Sequence, residues 1–405
     1  MKIIKPDYYD KFQCTAGKCP FTCCQEWKIG VDDATAKKWK NTAVPDSVSV
    51  RKKKQKLQYF TTCKEGARVI ALDREHLCPF LNRDKLCELV LTYGDDILSE
   101  TCRIFPREIH SYRNRKEYTL MPGCPAVVDL LQECKGFSLL IKENSVDESD
   151  TDRAFTDTPE VTGKDSEHTL MDMRDFFLEL IMKKEISVET AFLMIYYLAL
   201  DLLEREEISK ETVAEYGQSG ALEELKNAIE EMEIDSFEAF EEQNELFLDL
   251  AENYRKKGMY QKWLEEPAEL AEDYARGYDV IELEEKLQVF SGEWEKQEGL
   301  FRNLLCEEIF ADCFSAEGEI EYTVIKLQWL AMEYAAIRHI LFLTWDQKGR
   351  LDYEDVRDVI VLIFRMMGYE DDDIYEYLET GFESLIWEWG YLALIVGKPG
   401  TKLAE

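Results

Sequence analysis

The stretch FQCTAGKCPFTCCQEW, residues 12–27, holds four thiols: Cys14, Cys19, Cys23 and Cys24. Cys78, Cys87, Cys102 and Cys124 follow. With Cys63 and Cys134, ten of the twelve cysteines fall in the first 134 of 405 residues. The other two, Cys306 and Cys313, sit in helical text. No apolar leader follows Met1, and no apolar run reaches the ~20 residues that cross a bilayer. The expected compartment is therefore the cytoplasm, with no membrane partner. Thiols stay reduced there, so a dense cluster reads as metal-binding or catalytic rather than as a disulfide framework. Thiolates suit Zn2+ or an iron–sulfur cluster. The spacing Cys14-x4-Cys19-x3-Cys23-Cys24 can put at least three sulfurs about one centre. Adjacent Cys23 and Cys24 point to opposite sides of an extended chain, so one can serve the metal while the other packs or serves a second site. Spacing alone leaves zinc and iron–sulfur equally open, and leaves open a metal knot that merely staples a region poor in core.

Charge is divided as unevenly as the cysteines. Residues 1–134 carry 23 Lys and Arg against 18 Asp and Glu, a net of +5; the rest carry 26 against 65, a net of −39. Such acidity repels nucleic-acid phosphates and excludes that partner class. It suits a lysine-presenting protein, and equally a solvated helical surface. His76, His110, His168 and His339 are scattered and show no ligand or catalytic spacing. There is no dinucleotide-binding glycine turn and no P-loop.

The elements that must position the thiols divide the chain in three. Residues 1–142 read as a loop-rich cysteine module. Asp32 caps a short helix in ATAKKWK, and residues 58–72 form a small β-hairpin around a KEG turn. LCELVLTYG is a short helix stopped by Gly94. A further helical turn leads into Cys102, EYTLMP is strand-like, and Pro125 opens a helix. The basic run 51–56 is a solvated surface or a patch for the acidic part. Residues 143–168 are an acidic linker or exposed loop. Residues 169–405 read as an acidic helical domain. It has helices behind Thr169, over Val188–Leu203, behind Asp235, over Tyr322–Trp345, behind Asp352 and over Ile374–Val396. No repeat period is visible. The predicted fold class is mainly α, an irregular helical bundle with a cysteine-cluster module at its N-terminal end.

In order, Phe12-x-Cys14-x4-Cys19-x2-Thr22-Cys23-Cys24-x2-Trp27, Cys78-Pro-Phe-Leu81, Leu86-Cys87, Gly94, Leu98, Cys102-Arg103-x-Phe105-Pro106-Arg107 and Cys124-Pro125 resemble the flagellin lysine-N-methylase (FliB) family. The same residues resemble the broader group of zinc- or iron-chelating cysteine-cluster proteins. The ordered match covers about residues 8–134. The resemblance implies a protein-lysine N-methyltransferase acting on flagellin, with S-adenosylmethionine as donor and a 4Fe–4S cluster as metal centre, Zn2+ being the alternative. It also implies the candidate ligands: Cys14, Cys19, Cys23, Cys24, Cys78, Cys87, Cys102 and Cys124. One such cluster takes at most four of them.

The reaction makes its own demands. A lysine amine with a pKa near ~10.4 is mostly protonated at neutral pH and must shed that proton before it can attack a methyl group. The catalytic base is not identifiable from sequence. Displacement itself needs no electron, and the radical triplet C-x3-C-x2-C is absent, because Cys24 follows Cys23 directly. Arg103 and Arg107 flank the Cys102 loop and can hold a carboxylate of the donor, or make structural ion pairs. The rival expectation is a non-catalytic zinc- or iron-binding protein that senses redox state or mediates an interaction.

Overall fold

In this computed structural model the described residues are 1–48, 55–64, 66–112, 114–143, 166–205, 208–217, 219–314, 319–368, 374, 377–378 and 388–397. The expected linker at 143–168 and the basic run at 51–56 fall mostly outside them.

The cysteine region is built from short pieces. β1 (Lys2–Pro6) opens it, and α1 (Asp33–Trp39) follows, capped by the Asp32 carboxylate, which accepts from Thr35 N–H at 2.9 Å. The predicted hairpin is present as β2 (Thr61–Lys64) and β3 (Ala67–Ile70), paired antiparallel. α2 (Glu88–Tyr93) stops at Gly94, whose φ of +77° is open to glycine without a Cβ clash. α3 (Glu100–Ile104) carries Cys102 behind a Ser99 cap. β4 (Arg107–Ser111) and β5 (Arg115–Leu120) form a second hairpin, and α4 (Pro125–Glu133) begins with its proline at the favoured first position.

A four-stranded sheet was not legible in the sequence. Its order is β4-β5-β1-β6, with β6 at Leu139–Glu143. β1 lies parallel to β5 (Ile3 opposite Lys116) and antiparallel to β6 (Ile4 opposite Ile141). β1 and β6 are five residues each, too short for their alternation to stand out, and the partners of β1 lie more than 110 residues away in β5 and β6.

The helical part comprises α5 (Ser166–Met182), α6 (Val188–Leu203), α7 (Lys210–Tyr216), α8 (Ser219–Glu230), α9 (Ser236–Lys256), α10 (Gln261–Arg276), α11 (Val280–Glu295), α12 (Glu298–Ala311), α13 (Ile320–Lys348), α14 (Tyr353–Met366) and α15 (Trp389–Val396). Thr169, expected as a cap, instead lies buried within α5, which starts at Ser166. Asp235 caps α9, accepting from Phe237 and Glu238 N–H, and Asp352 and Asp355 form a capping box on α14. α13 is the axis: α6, α9, α14 and α15 pack around it. The mainly α fold class is as expected.

Two apolar cores result among the described residues. A small one gathers Ile29, Trp39, Leu57, Phe60, Phe80 and Ile97, with Cys24, Cys87 and Cys102 packed on it. The large helical core also takes Tyr8, Phe12, Phe21, Leu120 and Val127 from the first 134 residues. Burying an aromatic side chain such as Phe21 stabilises by roughly 1.5–3 kcal/mol, so the N-terminal segment is held to the helices by its own apolar anchors. α12 joins the two regions by packing against α4, α5 and β5.

Candidate metal centre

The loop bearing Cys19, Cys23 and Cys24 is fixed by backbone and side-chain hydrogen bonds. Thr22 Oγ1 accepts from Cys24 N–H at 3.2 Å, and Trp27 Nε1 donates to Cys23 O at 2.6 Å. Cys78 N–H donates to Cys24 O at 2.7 Å, which brings the second cysteine loop alongside the first. Lys85 Nζ donates to Cys19 O at 3.1 Å, and Asn82 Oδ1 closes the 82–86 turn by accepting from Asp84 and Leu86 N–H, each at 2.9 Å. Cys87 and Cys124 stand at the N-terminal ends of α2 and α4. Glu26, at φ +72°, and His76, at φ +56°, meet where Glu26 N–H donates to His76 O at 2.9 Å. Non-glycine residues held at positive φ cost about 1–3 kcal/mol each and persist where their surroundings impose them.

Thiol–thiol hydrogen bonds join Cys23 to Cys24 and Cys24 to Cys78, and Cys19, Cys87, Cys102 and Cys124 lie within electrostatic range of Cys23. The Cys23 thiol bonds that of Cys24; this bond first, and burial second, push Cys23 well above its ordinary pKa. On Cys24 the bond with Cys23 acts downward, but the bond with Cys78, burial, and the charges of Cys78 and Cys102 outweigh it. Burial pushes Cys102 up to about 12, with Cys23 and Cys87 adding to the rise. Burial likewise pushes Cys124 up to about 12, and its thiol neighbours are Cys19 and Cys23. Cys19 is raised by burial although its thiol donates to Phe21 O at 3.3 Å. Cys23 is thus coupled to Cys19, Cys24, Cys87, Cys102 and Cys124, and Cys78 is coupled to Cys24.

The remaining predicted residues lie nearby in sequence and apart in environment. Cys14 is exposed, its sulfur accepting from Ala16 N–H at 3.4 Å. Arg103 is exposed and faces Glu100 at 3.9 Å. Arg107 lies over the Phe12 ring at 4.7 Å and the Tyr9 ring at 5.9 Å.

The donor chemistry fits a thiophilic centre: buried and half-buried thiols within electrostatic range of one another lose protons to a soft metal that then offsets the gathered charge. Among the described residues, no three His, Cys, Asp or Glu side chains already stand as a set that could hold a metal ion.

Sequence reasoning missed Arg365 on α14. Its Nε donates to Gly123 O at 2.8 Å, and its two terminal nitrogens to Thr22 O at 2.8 Å and Phe21 O at 2.9 Å. The guanidinium also stacks 4.4 Å from the Phe21 ring, which in turn stacks 3.9 Å from Trp263. Burial presses the Arg365 pKa down, opposed by Tyr260, Cys23, Cys124 and Cys19. An arginine amid the apolar text VIVLIFRMM was the available signal.

The family model for the FliB lysine N-methylase C-terminal domain matches residues 174–395. A lysine-N-methylase of Salmonella choleraesuis is 23% identical over 378 residues, 88% of this chain and 90% of that protein. A lysine-N-methylase of Salmonella typhimurium is 22% identical over the same shares. A flagellar biosynthetic protein FliU of Salmonella muenchen is 32% identical over 132 residues, 31% of this chain and 73% of that protein. No solved structure matches.

Proposed function

The chain belongs to the FliB lysine N-methylase family and is a protein-lysine N-methyltransferase, and from that premise we propose that it methylates flagellin in the cytoplasm. In this reading S-adenosylmethionine is the donor, and four of the clustered cysteines hold a 4Fe–4S cluster. The flagellar name of one relative supports the choice of substrate class. No helix among the described residues is long and apolar enough to cross a membrane.

The observation that supports the metal reading is that Cys19, Cys24, Cys87, Cys102 and Cys124, from four separate segments, all interact with Cys23, and Cys78 with Cys24. Thiols so placed raise one another's pKa, a cost that a metal removes. Bound there by four thiolates, such a cluster would tie the cysteine loops together and offset their gathered charge. The chain's own part is to hold the acceptor amine, take its proton and keep water out. The amine lone pair then forms the N–C bond as the S–C bond of the sulfonium breaks, and that bonding pair stays on sulfur.

The test combines anaerobic purification with labelled donor. Several iron and sulfide per chain, and label on flagellin lysines, are the expected results. A colourless protein with about one zinc per chain, even with iron supplied, sinks the cluster. Metal bound without methyl transfer to flagellin sinks the choice of substrate.

A further inference from the structure

A cavity of about 530 Å³ lies between the segment that enters α1 and the β2–β3 hairpin. Residues 29–31 widen that hairpin by a third extended segment: Val31 N–H donates to Arg68 O and Ile70 N–H to Ile29 O, both at 2.9 Å. Cys63 stands opposite Arg68 and Thr61 opposite Ile70, so Thr61, Cys63 and Arg68 share one face of the hairpin. All three line the cavity, with Val31 and Asp33 across from them. The turn leaves one side open, since a Cβ on Gly66, at φ +79°, would meet nothing within 4 Å.

The wall beside Asp33 is tied to the thiols. Asp32 Oδ1 accepts from Thr35 N–H at 2.9 Å and Oδ2 from Glu100 N–H at 3.0 Å, so that carboxylate is already committed. Glu100 opens α3, whose Ser99 cap accepts from Cys102 N–H at 3.3 Å. Gly30 comes so close to the same helix that a Cβ would lie 2.9 Å from Thr101 Oγ1.

Asp33 and Arg68 give the cavity one anion and one cation, Oδ1 to Nη1 at 3.0 Å. Their side chains are 86% and 41% exposed, and an ion pair so exposed contributes little to folding. A ligand that carries both an ammonium and a carboxylate exchanges that one pair for two, and the planar guanidinium can grip a carboxylate through two parallel hydrogen bonds. Such a ligand has the head of an α-amino acid. The volume exceeds what a free amino acid fills and falls within the roughly 300–1,000 Å³ of small-molecule sites. Thr61 Oγ1 donates to Gln58 O at 2.9 Å and can still accept from a ribose hydroxyl. Val31, 5% exposed, adds an apolar wall. Arg103 and Arg107, expected to hold the donor's carboxylate, do not line this cavity.

Resting on the methyltransferase reading with S-adenosylmethionine as donor, we propose that this cavity is the donor site. Arg68 takes the carboxylate of the methionine moiety, Asp33 its ammonium, and Thr61 a ribose hydroxyl. The Asp32 carboxylate joins the site to the helix that carries Cys102.

The test uses the full chain purified without oxygen and S-adenosylhomocysteine as probe, with adenosine as the ligand that lacks the amino-acid head. In calorimetric titration wild type should bind the probe at least about ten-fold more tightly than adenosine. Arg68→Gln and Asp33→Asn should each weaken the probe by about ten-fold or more, and leave adenosine binding and Tm unchanged. Cys63, exposed in the cavity wall, supplies a second readout: saturating probe should slow its alkylation several-fold and leave that of Cys14 unchanged. Probe binding that is unchanged in either variant, or that leaves Cys63 alkylation at its free rate, overturns the site while the donor reading stands. Adenosine bound as tightly as the probe overturns the amino-acid head as the group recognised. A wild type that binds no probe overturns the site, and if it also transfers no label from S-adenosylmethionine the donor reading falls with it. Tight probe binding without transfer to flagellin defeats the substrate reading alone.

Discussion

Arg365 on α14 donates to the carbonyl of Thr22 at 2.8 Å, across 343 residues of chain, directly before the Cys23–Cys24 pair. Its other bonds reach Phe21 and Gly123, the latter directly before Cys124. One guanidinium from the helical part thus fixes the position of two cysteine loops, using the planar fork that lysine lacks.

Arg365→Met should therefore orphan three carbonyls at once. Hydrogen bonds to charged groups contribute about 1.5–3 kcal/mol each and are not additive. A net loss on the order of 2–4 kcal/mol is expected in urea unfolding. In metal-free protein, alkylation of Cys23 and Cys124 should speed up, while that of Cys63, already exposed, should not. Arg365→Lys should rescue little. Equal alkylation of Cys23 and Cys124 in variant and wild type would refute the anchoring role.

Cys23 has the most thiol neighbours, so Cys23→Ser should deplete bound iron more than Cys63→Ser, whose side chain is exposed on β2. Iron content measured after anaerobic reconstitution decides this. Equal iron in both variants would remove Cys23 from the centre.

Glu307 accepts from the Tyr8 hydroxyl and, at 2.7 Å, from Leu120 N–H, joining α12 to β1's end and β5. Burial pushes its pKa to about 7 despite those bonds. A raised carboxyl favours the folded state most below the unfolded value of 4.5, and that contribution is lost as pH rises through about 7. The wild type should lose on the order of 3 kcal/mol across that window. Glu307→Gln should have a flatter profile; parallel profiles for the two proteins would contradict it.

His339, 1% exposed, shares a 2.8 Å hydrogen bond with Asn244 Oδ1. Burial, and then Arg338, hold its pKa down at about 3. Here the sign reverses: stability is complete above the unfolded value of 6.5 and drains as pH falls towards 3. His339→Gln, which cannot titrate, should lose less on acidification. The gap should be on the order of 3 kcal/mol, from unfolding curves at pH 7 and pH 4.

The acidic helices bear on partner choice. Residues 135–405 carry a net −39, and a lysine-presenting surface is drawn to such a field until salt screens it over about 8–10 Å. Flagellin binding should weaken as salt rises while donor binding changes little. Flat flagellin binding from low to moderate salt would leave the acidic helices as solvated surface.

Local signals in the sequence carried a good part of this protein. The caps at Asp32, Asp235 and Asp352, the stop at Gly94, the hairpin after Gln58 and the largely apolar α6 depend on neighbours within a turn or two, and the structure has each of them. The ordered cysteine motif announced the family, because thiol spacing is itself a chemical constraint. Tertiary structure alone decided which groups meet. β1 finds its partners in β5 and β6, Arg365 reaches Thr22 and Gly123, and Glu307 reaches Tyr8 and Leu120 only once α12 packs against β5. Each is a contact between segments far apart in the chain, selected by burial and by the need to satisfy buried polar groups. Neither spacing nor helical periodicity encodes which distant partner will do so.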